Sequence, residues 1–66
     1  MTEKRLELKN KLENGLNIIK ECDKKFSKYC IDNDIQVIHD EKYKYCNNCF
    51  AEAIGDIEYI LKELSE

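Results

Sequence analysis

Four cysteines, Cys22, Cys30, Cys46 and Cys49, in a chain of 66 residues constrain the fold more than any other feature. A chain this short is one domain at most, near the lower edge of what a hydrophobic core stabilises alone. The start, Met1 to Lys9, mixes acidic and basic residues and has no apolar h-region, so no secretory signal is expected. No apolar run approaches the ~20 residues of a membrane span. The expectation is therefore a cytoplasmic chain, where thiols stay reduced. Reduced thiols in a core-poor chain point to metal rather than disulfides.

Composition places the chain among soluble globular proteins, with 42% hydrophobic and 38% charged residues. The net charge of −3 disfavours a general nucleic-acid binder, but it conceals a split. Residues 1–29 carry eight Lys/Arg against five Asp/Glu, a balance of +3. Residues 30–66 carry three against nine, a balance of −6. A basic front and an acidic back attract each other within a fold or between copies. Proline is absent and Lys, Asn and Ile are abundant, a bias that fits AT-rich coding in a low-GC bacterium or its phage.

Three segments stand out within a single domain spanning residues 1–66. Leu8, Leu12, Leu16, Ile19, Cys22, Phe26 and Tyr29/Cys30 recur at three- and four-residue steps, which predicts an amphipathic helix over 3–29. Asn14-Gly15 interrupts its composition but not its apolar phase. The second segment begins with the turn chemistry of Asp32-Asn33-Asp34. There Ile35 and Val37 alternate with their neighbours, as do Tyr43 and Tyr45. This reads as a β-hairpin over 35–46 with its turn at Asp40-Glu41. The third segment, with Phe50, Ala53/Ile54, Ile57, Ile60/Leu61 and Leu64 on one face, predicts a helix over 49–64. The expected fold class is α+β: long N-terminal helix, short hairpin, CxxC knuckle, C-terminal helix, a small zinc-finger-like domain.

Cys46-Asn47-Asn48-Cys49 has the spacing of a zinc knuckle. At a helix start, both sulfurs face one ion and the helix N-terminus favours their anionic form. A structural zinc needs four protein ligands. In the expected hairpin Cys30 enters at the open end, beside Cys46. His39 falls about four residues away, roughly 13 Å at the usual strand rise, too far to share an ion. The expected ligand set is Cys22, Cys30, Cys46 and Cys49. The second choice replaces Cys22 by His39, because a continuous first helix holds Cys22 and Cys30 ~12 Å apart. The competing readings are buried thiols without metal and an iron–sulfur cluster.

The stretch Ile38-His39-Asp40-Glu41-Lys42-Tyr43-Lys44-Tyr45-Cys46-Asn47-Asn48-Cys49-Phe50-Ala51-Glu52-Ala53-Ile54 resembles the hairpin-knuckle-helix half of small treble-clef-like zinc-finger proteins. The Gin anti-sigma factors of sporulating bacteria are one example. In that family two CxxC pairs bind zinc and the protein sequesters a sigma factor. Cys46 and Cys49 match the second pair, whereas Cys22 and Cys30 are spaced more widely than the first. The resemblance implies Zn2+ and a protein partner, a transcription component among the candidates.

No nucleophile–base pair, phosphate loop or carboxylate pair is apparent, so catalysis is not expected. The expected function is a zinc-stabilised, protein-binding regulator, adaptor or inhibitor acting through its helical surfaces, phage or mobile-element origin included. A first helix of ~27 residues, about 40 Å, overhangs a second of ~16, about 24 Å. That leaves Leu6, Leu8 and Leu12 for a partner protein or a second copy, which would make a homodimer through helix 1. Lys20, Lys24 and Lys28 form an i, i+4 stripe, read either as a solvated face or as a contact for an acidic partner. Through these lysines, nucleic-acid binding is the alternative function.

Overall fold

A computed structural model describes residues 2–65. Helix α1 spans Glu3–Asp32, a single-turn 3-10 helix spans Val37–His39, and helix α2 spans Glu41–Leu64. The two long helices pack antiparallel as a hairpin measuring 48 × 17 × 12 Å. No strand occurs among the described residues.

The expected β-hairpin over 35–46 is therefore corrected, and with it the α+β class: the fold is all-helical. The physical reason lies at Asp40. Its carboxylate accepts hydrogen bonds from the backbone N–H of Lys42 (3.1 Å) and Tyr43 (3.3 Å), so Asp40-Glu41 is a helix cap and first turn, not a strand turn. A two-stranded ribbon is marginal by itself, and this one has no Asn-Gly signal to close it. The apolar steps Tyr43, Cys46, Phe50, Ala53/Ile54, Ile57, Leu61 and Leu64 form one helical stripe that starts well before Cys49. The segment that resembles the zinc-finger half is thus a 3-10 turn leading into continuous helix.

Helix α1 runs three residues beyond the expected end and does not break at Gly15. Thr2 caps its start, its hydroxyl accepting from the N–H of Arg5 (3.2 Å). At its end the N–H of Ile35 reaches the carbonyl of Cys30 (2.8 Å) and the N–H of Asp34 reaches that of Ile31 (3.1 Å). This is a Schellman closure. It requires a left-handed residue, and Asp34 supplies it at φ 56°. Asp32-Asn33-Asp34 thus makes the turn its residue types predict, and it joins two helices rather than a helix and a strand.

The face that α1 turns to α2 steps by four and three: Arg5, Lys9, Leu12, Leu16, Ile19, Asp23, Phe26, Cys30. That is a coiled-coil seam rhythm. Only Leu16 and Cys30 are buried among the described residues, and of these only Cys30 is fully so. Phe26 wedges between Tyr43 (ring centroids 6.2 Å apart) and Phe50 (5.5 Å), which sets the register of the pair. At the far end the Arg5 guanidinium donates to the carbonyl of Glu63 (3.0 Å), closing the C-terminus of α2.

Leu16→Ala should lower unfolding free energy by about 2–3 kcal/mol in urea titrations, through lost burial and a residual void. Asp34→Gly should raise it by about 0.5–1 kcal/mol by removing the left-handed penalty.

Candidate functional site

The two long edges of the hairpin differ. Along one, Lys20 pairs with Glu58 across the helices at 3.7 Å. Lys28 pairs with Asp32 on its own helix at 3.1 Å. The lysine stripe of Lys20, Lys24 and Lys28 runs along this charged edge. Both salt bridges are solvent-exposed and worth little in stability.

Along the other edge lies an open apolar groove of about 430 Å³ lined by Ile19, Tyr45, Cys46, Cys49, Phe50 and Ala53. The 100° helical step continues this side outward to Leu8, Ile18, Tyr29 and Ile60, all large and exposed. Tyr45 is 71% and Ile18 62% exposed. Scattered apolar residues on a surface need no explanation, but a contiguous set flanking a groove marks an interaction surface.

The predicted ligands are distributed over this frame. Cys30 is buried in the seam near the turn, Cys46 is half-buried, and Cys22 and Cys49 are exposed. All four are free thiols. Cys46 and Cys49 lie one turn apart on the groove wall, inside α2 rather than at its start, so no helix N-terminus acts on them. His39 is exposed in the 3-10 turn. No group of three His, Cys, Asp or Glu side chains is placed to share a metal ion among the described residues. The donor set therefore does not fit a four-thiolate zinc within one chain in this arrangement.

The predicted partner-binding leucines also separate. Leu12 is half-buried against α2, while Leu6 (47%) and Leu8 (50%) are exposed at the overhanging start of α1. Leu8 belongs to the groove edge and Leu6 does not. The overhang itself is shorter than expected, because α2 is 24 residues long against 30 for α1, a difference of about 9 Å. Sequence reasoning missed Ile18, Tyr45 and Ile60 as groove residues. Their signal is an apolar side chain just outside the seam phase, and at Tyr45 the strand-like alternation masks it.

Near the turn, the Tyr43 phenol ionises above its ordinary 10.0. The main cause is charge repulsion from the neighbouring Tyr29, then a hydrogen bond with it; Asp40 adds to the effect. No helix is long and apolar enough to cross a membrane among the described residues. No family model, curated protein or solved structure matches the chain.

Thiol labelling of the native protein should modify Cys22 and Cys49 first, Cys46 more slowly, and Cys30 only on unfolding, as read by peptide mass. A four-thiolate ion would instead shield all four together. A raised Tyr43 value means that the neutral phenol supports the fold. That support is fully present below pH about 10 and is lost as pH rises through the folded value. Tyr29→Phe should bring the ultraviolet titration of Tyr43 back toward 10.0.

Proposed function

We propose that the chain is a protein-binding module, a regulator or adaptor that acts by laying its apolar groove edge against helices of another polypeptide. The observation that carries this reading is the groove itself. Its exposed aliphatic and aromatic side chains occupy one edge of the hairpin between charged outer rims, while the opposite edge is bridged by the Lys20–Glu58 ion pair. Tyr45 to Ala53 of α2 and Ile19 of α1 wall an apolar trough of the kind that accepts one face of an amphipathic helix. Tyr45 and Tyr29 suit such a role, since aromatic rings supply large contact area at low entropic cost.

The nucleic-acid alternative has less support. Of its three lysines, Lys20 and Lys28 already face carboxylates at 3.7 and 3.1 Å. The stripe lies on the edge away from the aromatic groove, so its phosphate contacts and the stacking rings do not share a surface.

A photo-crosslinking residue in place of Tyr45 should trap a polypeptide in cells, whereas the same residue in place of Tyr59, exposed on the outer face of α2, should trap none. Equal trapping at both positions overturns the assignment. Retention on nucleic acid that fails with Lys24→Glu and Lys28→Glu and falls steeply with salt would instead favour the alternative.

A further inference from the structure

We infer that the polypeptide seated on the groove is a second copy of this chain, forming a four-helix bundle about a two-fold axis that runs parallel to the helices. This rests on the groove being a protein-binding surface, and it adds the identity and orientation of the occupant.

The first argument is area. The chain exposes 5417 Å². A compact monomer of its mass, 7.8 kDa, would expose about 4,400 Å². The excess is about 1,000 Å², close to the ~800 Å² that each partner contributes to a standard protein–protein interface. Two buried residues among those described, Leu16 and Cys30, are a small core for such a chain. Covering the groove edge would give Ile19, Phe50 and Ala53 an apolar layer on their open side.

The second argument is charge, and it selects both the occupant and the axis. Helix α1 carries eight Lys/Arg against six Asp/Glu, a balance of +2, and α2 carries three against five, a balance of −2. On the groove edge the helical step places Lys11 and Lys25 along the outer rim of α1 and Glu52, Asp56 and Glu63 along that of α2. Both lysine side chains are about three-quarters exposed, at 75% and 76%. Each bridges to a glutamate one turn earlier on its own helix, Lys11 to Glu7 at 3.5 Å and Lys25 to Glu21 at 3.6 Å, so the complementarity rests on the net balance of each helix. A two-fold axis parallel to the helices stacks α1 of one copy on α2 of the other, so each net-basic helix meets a net-acidic one. Every neighbouring helix pair is antiparallel about either axis, so the helix dipoles favour neither and net charge decides. A perpendicular axis would set α1 on α1 and α2 on α2, each helix against one of its own net sign. A surface that complements itself in this way fits a second copy, since isologous contacts reuse one patch.

The third argument is the cysteines, and it supplies the test. Phe26 lies between Tyr43 and Phe50, hence about level with Cys46 and Asn47. One turn back along α1, Cys22 is level with Phe50, next to Cys49. Rotation about an axis parallel to the helices leaves heights unchanged. Exposed Cys22 of one copy therefore stands abreast of exposed Cys49 of the other.

Sedimentation equilibrium of the reduced full chain should give twice 7.8 kDa. Tyr45→Asp with Ile60→Asp should weaken the association by at least about tenfold, with Tyr59→Asp as the inert control. Two variants keep the buried Cys30: Cys46→Ser/Cys49→Ser retains Cys22, and Cys22→Ser/Cys46→Ser retains Cys49. Diamide takes two protons and two electrons from each thiol pair, leaving a disulfide and the reduced hydrazine. Neither variant alone should form a covalent dimer, and an equal mixture should form one through Cys22–Cys49. Self-linking of either variant in place of mixed linking overturns the orientation. A chain that sediments as a monomer at every concentration overturns the second copy. In that case trapping of a different polypeptide at Tyr45 would leave the groove reading intact, while equal trapping at Tyr45 and Tyr59 would remove both.

Discussion

The packing of one apolar stripe on another sets everything else in this protein. Within one copy of the chain, neither long helix has another long helix or a sheet to rest on besides its partner in the hairpin. A helix isolated in water gains little from propensity alone, and most helical stability in proteins comes from a buried face. Here that face is shared by two elements only. Phe26 between Tyr43 and Phe50 fixes the register near the turn, and Arg5 on the carbonyl of Glu63 ties the far end. Between them, Leu12, Leu16 and Ile19 meet the α2 stripe. The groove, the lysine edge and the positions of the four thiols are all consequences of that register.

Much of α1 was legible because its period is strong and unbroken. The steps from Leu12 through Leu16 and Ile19 to Phe26 repeat often enough to outweigh Asn14-Gly15, whose cost of ~1 kcal/mol is small against the burial of several side chains. The segment around Tyr43 and Tyr45 was not legible for the opposite reason. Alternation over five residues fits a strand, and Tyr43, Cys46 and Phe50 at three and four fit a helix. Tyrosine serves both. The cap at Asp40 decides between them: a carboxylate that satisfies two N–H groups starts a helix, and the α2 stripe then gains a full turn of contact with Phe26. Taking Asp40-Glu41 as a strand turn moves Cys46 and Cys49 to a helix start. The knuckle geometry depends on that one displacement.

The site was legible in part. Exposed leucines at the start of α1 were expected from a length mismatch, and Leu6 and Leu8 are exposed there. The larger apolar surface lies elsewhere, because helix length alone does not say which flank of a seam is covered. That depends on where the charged residues fall on both helices together. Lys20 and Glu58 meet across one flank, whereas Ile19, Tyr45 and Phe50 leave an open apolar groove on the other. Neither pattern is visible in one helix taken alone.

Asp23 shows why the seam is specific as well as weak. It occupies a central position of the α1 stripe, between Ile19 and Phe26, and it is half-buried. Arg5 and Lys9 occupy two further stripe positions. A seam with three charged side chains cannot be dry along its length, since a carboxylate moved fully out of water carries a large desolvation cost. Sliding α1 along α2 by one heptad would replace apolar partners of the α2 stripe with a charge at each of these points. Such residues lower stability and restrict register, as single polar residues do in coiled coils. The charges at Arg5 and Lys9 lie beside the C-terminus of α2, where cations are favoured. The cost therefore falls mainly at Asp23, and this seam holds its register without closing over its own groove.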